Sequence, residues 1–405
     1  RGVRKSTQSD VYWDVDKRVA ELDAEGIACE FALADSPLAP FFSSLGSAFP
    51  ADVRSAGARA FNRWAGEFLS AAGGRIVGNA EPYPDDIPRT VADLPGLAER
   101  GFVSVTLPGA NADPSLPTLE SREYDPFWAT CTELGLATNV HVGWGRTQGE
   151  AMKFFRNLMP GQSVNMMEPE AMAQAKPGSS EGKSEELFEF VMKNLDAKNP
   201  DSPLAFTVHP QQALWRLMLS GVFDRFPTLK VVLTEVRADW VPPTFQYLDQ
   251  LFAKHPGKCE LKPSEYYERN CWLTPSSPHR SEVEMLDQIG ASKIMFGADI
   301  PHPESTWPNT RQWIGDVFRG VPDDKLRMVL GENAMRVYNL DRAQMEKTAA
   351  RLAVKPSDLF TGDALDDRLV GHFDSRAGYL RPADAIDKDQ IGRALESDFA
   401  RLANV

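Results

Sequence analysis

Apolar positions along this chain repeat with two alternating periods. Residues 16–26 place apolar side chains at helical spacing, and 27–33 follow as a short strand-like run. Residues 51–72 keep a helical period through Val53, Ala60, Phe61, Trp64 and Phe68, and Arg75–Gly78 is a short apolar run. The same alternation continues with helix 87–100 and strand 102–107, then helix 124–134 and strand 136–142. Helix 211–226 carries Leu214, Leu217, Met218 and Val222 on one face and leads to strand 229–235. Helix 240–254 leads to a strand at 271–274, helix 280–290 to a strand at 293–297, and helices at 308–319 and 323–338 follow. Apolar, β-branched strands alternating with amphipathic helices predict an α/β protein with a parallel sheet. Seven strands fit either a doubly wound sheet or a (β/α)8 barrel one strand short. The chain opens at Arg1 without Met, so the missing first strand is expected upstream of it.

Two stretches fall outside the repeat. Residues 143–208 read as a long insertion rich in methionine, with Met152, Met159, Met166, Met167 and Met172. Methionine adapts to irregular apolar shapes, and long loops often cover barrel sites. A lid over a bulky, partly apolar small-molecule substrate and a subunit interface are both open readings. Residues 341–405 read as a charged C-terminal extension, helical in two pieces, after a barrel spanning 14–340.

Charge narrows the partners. Asp plus Glu number 57 against 44 Lys plus Arg, a net charge of −13. An acidic surface does not displace counterions from nucleic acid or dock on an anionic membrane. No apolar run approaches the ~18 residues of a membrane span. Four scattered cysteines, no CxxC pair and no apolar leader at the start lead to the expectation of a reducing, cytoplasmic location. Two glycine-rich stretches imitate nucleotide loops, but Gly143-Trp-Gly145 and Gly178–Ser184 both have the wrong spacing.

The chemistry is expected at the C-terminal ends of the strands, where barrel enzymes carry their reactive groups. Strand 136–142 ends on His141, strand 229–235 on Glu235, and strand 293–297 runs into Asp299 and His302. These are ligand types for a divalent cation. Each has a plainer use: His141 as a hydrogen-bonded core residue, Glu235 paired with Arg237, Asp299 capping a turn, His302 fixing a bend between prolines. His209 precedes helix 211–226, where capping is its plain role. Agreement of three strand ends favours the chemical reading.

Two long blocks then carry a resemblance. Phe296-Gly-Ala-Asp-Ile-Pro-His-Pro-Glu-Ser-Thr-Trp-Pro308 resembles the eighth-strand signature of the amidohydrolase-related family, which includes aminocarboxymuconate semialdehyde decarboxylase. Ser220–Pro242 is similar to its helix and sixth strand, and Gly331–Tyr338 to its closing helix. The resemblance implies a TIM-like (β/α)8 barrel of the metal-dependent hydrolase type and a homodimer. It implies one or two divalent ions (Zn, Fe or Mn), held by His141 as the fifth-strand ligand, Asp299 as the eighth-strand ligand, and Glu235 where decarboxylases have a histidine. An HxH pair ending the first strand is also implied, and none occurs in this sequence.

The expected reaction is hydrolysis of an amide, ester or thioester by metal-activated water, with Asp299 as base and His302 or His209 as acid. The alternative is non-oxidative decarboxylation of an aromatic or unsaturated acid, whose carboxylate Arg237 would hold. A metal-free binding barrel is the third reading.

Overall fold

The computed structural model describes residues 10–34, 51–109, 116–142, 144, 208–254, 259–300, 305–361, 365–367, 369–370, 392–393, 395–396 and 398. Among the described residues, six parallel strands form one sheet: β1 (Glu30–Ala32), β2 (Ile76–Ala80), β3 (Phe102–Thr106), β4 (Ala137–His141), β5 (Lys230–Thr234) and β6 (Cys271–Thr274). Their order in the sheet is their order in the chain, β1 to β6. A doubly wound sheet reverses order at a switch point. No reversal occurs here, so the strands build the wall of a (β/α) barrel. Beyond β6 the wall continues through two parallel bridges, Leu273 with Ile294 and Ser276 with Gly297.

Helices between the strands begin and end where local chemistry stops them. In α1 (Val15–Glu25) the Asp14 carboxylate accepts from the Lys17 backbone N–H at 3.0 Å, and Gly26 closes the helix at φ 75°. After α2 (Ala51–Ala71), α3 (Ile87–Ala98) opens on Asp86, which accepts from Arg89 N at 2.9 Å. α4 (Asp125–Leu134) ends on Gly135 at φ 67°. Helix and strand faces meet in a large core, with Leu22, Leu94, Phe127, Trp128, Leu217, Phe223, Leu233 and Trp313 fully buried, and a second, smaller cluster gathers Ala137, Val232, Trp272, Met295, Val337 and Tyr338.

The strands also carry a buried polar layer. Asn79 on β2 donates to Thr106 Oγ1 on β3, and Asn139 on β4 donates to Thr234 Oγ1 on β5, each at 2.7 Å. These bonds tie neighbouring strands together near the ends where the site lies, while the amide oxygens of Asn79 and Asn139 stay buried without a hydrogen-bond partner among the described residues.

Several elements differ from the periodicity. Helix 211–226 is two helices, α5 (Val208–Leu219) and α6 (Val222–Arg225), parted at Gly221, whose φ of 69° no right-handed helix accepts. α7 (Val241–Lys254) is followed by α8 (Pro263–Asn270), whose polar Ser-Glu-Tyr-Tyr-Glu-Arg run hides its helical period. Helix 280–290 is α9 (Arg280–Glu284) and α10 (Leu286–Ile289). The expected strand 293–297 makes only the two bridges. After α11 (Thr310–Val317), segment 323–338 is helical, with a wider π turn at Met328–Glu332.

Of the expected 143–208 insertion, only Trp144 and Val208 fall among the described residues. Past 340, the chain packs back onto the barrel. In the helix Arg342–Leu352, Arg351 pairs with Asp23 at 2.7 Å, and Gln344 donates to the Gly73 carbonyl at 2.6 Å. Asp398 is buried and accepts from Trp215 Nε1 and Arg216 Nε, both at 2.8 Å.

One edge of the sheet is held by a side chain. Arg18, on α1, forms a bidentate pair with Glu30 on β1, its Nε to Oε2 distance being 2.9 Å. The same guanidinium donates at 2.7 Å to the carbonyl of Ile300. Arg18 thus links the β1 edge to the segment that leaves the last bridge, next to Asp299.

Candidate functional site

Three of the expected residues gather at one end of the sheet. His141 is the last residue of β4, Glu235 follows β5, and Asp299 follows the Gly297 bridge. Glu235 and Asp299 both adopt left-handed backbone conformations, with φ of 58° and 55°. That conformation costs a non-glycine residue on the order of 1 kcal/mol or more, and such strain concentrates where a side chain must be aimed. Hydrogen bonds of the flanking strands hold both kinks: Glu235 N donates to Thr274 O at 2.9 Å, and Ser277 N to Gly297 O at 2.6 Å.

His141 Nε2 lies 2.9 Å from Glu235 Oε2, and its Nδ1 lies 3.0 Å from the Val142 carbonyl. Both side chains keep an open side, 30% exposed for His141 and 22% for Glu235. Burial alone pushes the imidazole down. The charge and hydrogen bond of Glu235, the Val142 carbonyl and the charge of Asp299 together outweigh it and lift the group to about 9.

A fourth residue belongs here that the sequence pattern did not reveal. Glu81 follows β2, and its charge and that of His141 act on one another. Burial pushes its carboxyl up to about 7, against the opposing pull of hydrogen bonds from Thr106 and Asn79 and the attraction of His141. The signal was the strand-end rule itself. The apolar run Arg75–Gly78 stops early because Asn79 is polar, but Asn79 is one of the buried bridging residues and β2 continues to Ala80.

The remaining candidates fare differently. Arg237 is bound to Asp239 at 2.5 Å and lies 3.4 Å from Ser281 Oγ. A nearby carboxylate therefore already neutralises the guanidinium expected to hold a substrate carboxylate. His209 sits in the first turn of α5, with its side chain outside the described residues. His302 also lies outside them.

An imidazole and two carboxylates are fitting donors for Zn, Fe or Mn. Among the described residues, however, no three His, Cys, Asp or Glu side chains converge closely enough to hold an ion. The donor types fit; the positions require His141 Nε2 to exchange Glu235 for the cation. Three carboxylates, Glu81, Glu235 and Asp299, act on one imidazole, and a cation that takes the place of the imidazole's proton would balance their charge. Such a cluster repels an anion unless a cation joins it.

A family model described as Amidohydrolase matches residues 13–340. The gamma-resorcylate decarboxylase of Polaromonas sp. (strain JS666) is 32% identical over 135 residues, covering 31% of this chain and 39% of that protein. The chain thus spans about two fifths of the length of the curated relatives it matches. Among solved structures, an amidohydrolase from Mycobacterium avium subsp. paratuberculosis K-10 superposes with a TM-score of 0.60 at 20% identity, covering 83% of this chain and 77% of that one. A dihydroxybenzoic acid decarboxylase from Polaromonas sp. JS666, with bound manganese and the inhibitor 2-nitroresorcinol, gives a TM-score of 0.57 at 19% identity. It covers 82% of this chain and 87% of its own. The last two establish the fold, a barrel of the amidohydrolase type.

Proposed function

The chain belongs to the amidohydrolase family, and on that premise we propose that it is a divalent-metal-dependent carboxy-lyase acting on a hydroxylated aromatic acid. The expectation of hydrolysis yields to its alternative, because the curated relatives are decarboxylases. The observation that carries the reading is that His141, Glu235 and Asp299, residue types that bind divalent cations, come together at the strand ends in a carboxylate-rich setting.

His141, Asp299 and Glu235 would hold the cation. Bound there, it would supply the positive charge that keeps the substrate carboxylate in place. That role otherwise fell to Arg237, which Asp239 occupies. In the reaction the bond between ring carbon and carboxylate breaks, carbon dioxide leaves, and the electron pair remains on the ring. A proton must then reach that carbon. Asp299, fixed by its left-handed backbone and by the Arg18 contact to Ile300, would take up a proton from solvent and pass it to that carbon, returning to the carboxylate. His302 and His209 would donate hydrogen bonds to substrate oxygens. Residues 14–340 would form the catalytic barrel, residues 143–208 its cover and 341–405 the extension, in a homodimer.

The test is product analysis. Protein loaded with manganese, zinc or iron is incubated with hydroxybenzoic acids and, in parallel, with aryl esters and thioesters. Release of carbon dioxide with formation of the matching phenol is expected. Ester or thioester hydrolysis without carbon dioxide would overturn the proposal in favour of hydrolysis. No turnover and no retained metal would leave a binding barrel.

A further inference from the structure

The peptide groups on both sides of Asp299 are gripped. The carbonyl after it, on Ile300, accepts from Arg18 at 2.7 Å. The carbonyl before it, on Ala298, accepts from the hydroxyl of Ser305 at 2.6 Å. The oxygen of that hydroxyl also accepts from the Trp307 backbone N–H at 3.0 Å. Ser305 is only 5% exposed, so water does not readily stand in for it. A serine hydroxyl has one hydrogen to donate, and here it goes to the carbonyl that leads into the left-handed kink at Asp299, φ 55°.

Ser305 is in turn fixed to a rigid element. Trp307 Nε1 donates to Glu21 Oε2 at 3.2 Å, Thr310 N to Glu25 Oε2 at 3.0 Å, and Arg311 Nε to the Glu25 carbonyl at 2.9 Å. Arg18, Glu21 and Glu25 stand at i, i+3 and i+7 on α1, which is one face of a helix. That face holds the chain at Ile300 and again at Trp307, Thr310 and Arg311. Ser305 carries the second hold back to Ala298, seven residues earlier.

We propose that Ser305 is a positioning residue for Asp299, whose hydroxyl fixes the Ala298 peptide and so keeps the Asp299 carboxylate in place as a cation ligand. The inference rests on the reading of His141, Glu235 and Asp299 as cation ligands and adds a residue that the strand-end pattern does not mark. Groups that orient a ligand without touching the ion govern how firmly the ion is retained. A carboxylate free to swing must be ordered anew whenever it binds, and that ordering opposes binding.

The test compares manganese affinity, read from the paramagnetic resonance of the free ion, with urea unfolding and with hydrogen exchange of the metal-free protein. Ser305→Ala should weaken manganese about tenfold to a hundredfold and speed exchange through residues 296–300. Ser305→Thr keeps the hydroxyl and should restore most of both. Thr306→Val is the control for a purely structural role. It removes a neighbouring buried hydroxyl, bonded to Thr310 at 3.2 Å and to Ser277 at 3.4 Å, that makes no bond to residues 298–300. Its urea midpoint should fall as that of Ser305→Ala does, while its manganese affinity stays at the wild-type value. Wild-type affinity in folded Ser305→Ala, or an equal loss of affinity in Thr306→Val, would overturn the proposal. If the wild type itself retains no manganese, zinc or iron, the cation reading fails, and exchange alone then decides the anchoring. Faster exchange at 296–300 in Ser305→Ala would uphold Ser305 as the residue that places Asp299, and unchanged exchange would overturn it.

Discussion

Replacing Arg18 by methionine should separate what stabilises the barrel from what aims its site. The side chains of Arg18 and Glu30 are 8% and 12% exposed. Removing the guanidinium leaves Glu30 as a nearly buried charge without its bidentate partner, which costs about 3–5 kcal/mol. It also removes the 2.7 Å bond to the Ile300 carbonyl, a further ~1.5–3 kcal/mol when the donor is charged, part of which water recovers at this edge. A net loss of about 4 kcal/mol is a large share of a typical folding stability. It should lower the urea midpoint by about 1 M at a slope near 3 kcal/mol per M. The double variant Arg18→Met, Glu30→Leu replaces the pair by apolar groups, and stability should return to within about 1 kcal/mol of the wild type. Ile300 would still lack its donor, and Asp299 beside it would be less firmly placed. Manganese retention and turnover should therefore stay depressed in the stable double variant. A single variant that costs under about 1 kcal/mol, or a double variant with full manganese binding, would refute the argument.

Three further outcomes are expected. Asp299→Ala should abolish turnover and weaken metal binding while circular dichroism and the unfolding midpoint stay near wild type; an active variant would remove Asp299 from the site. Asp23 is held down to about 2 by its hydrogen bonds from Arg351, with Arg75 assisting against burial. Its depressed carboxyl contributes stability that is present above its ordinary value of 3.8 and lost as pH falls through 2. Melting temperatures of Asp23→Asn should accordingly show a flatter acid limb than wild type, and superimposable limbs would contradict this. Asp398→Asn weakens bonds to Trp215 and Arg216 at a buried carboxylate. It should destabilise the protein by about 2–3 kcal/mol in chemical denaturation, with no change at neutral pH counting against the docking of this segment on α5.

Much of the architecture was legible because secondary structure here follows local periodicity. Helices α1 to α4 and strands β3 to β6 fall within a few residues of the apolar pattern, since each helix buries one stripe and each strand nearly all its side chains. The pattern failed where backbone or polar chemistry decided instead. Gly221 divides a helix whose apolar stripe continues across it, and α8 shows no clear stripe in the sequence. His141, Glu235 and Asp299 were legible as candidates because they end strands. Glu81 was not, because Asn79, a polar residue in a buried position, made its strand look two residues shorter.

The sequence by itself therefore determined the element types, the parallel α/β class and three of the four groups at the site, all consequences of side-chain pattern within a few residues. Only the tertiary structure decided between a doubly wound sheet and a barrel wall, since strand order is a matter of which edges pair. It alone showed Asp239 occupying Arg237, Glu235 against His141, and Arg18 joining α1 to a carbonyl 282 residues away. Those contacts depend on distances between segments remote in the chain, and no local period encodes a distance.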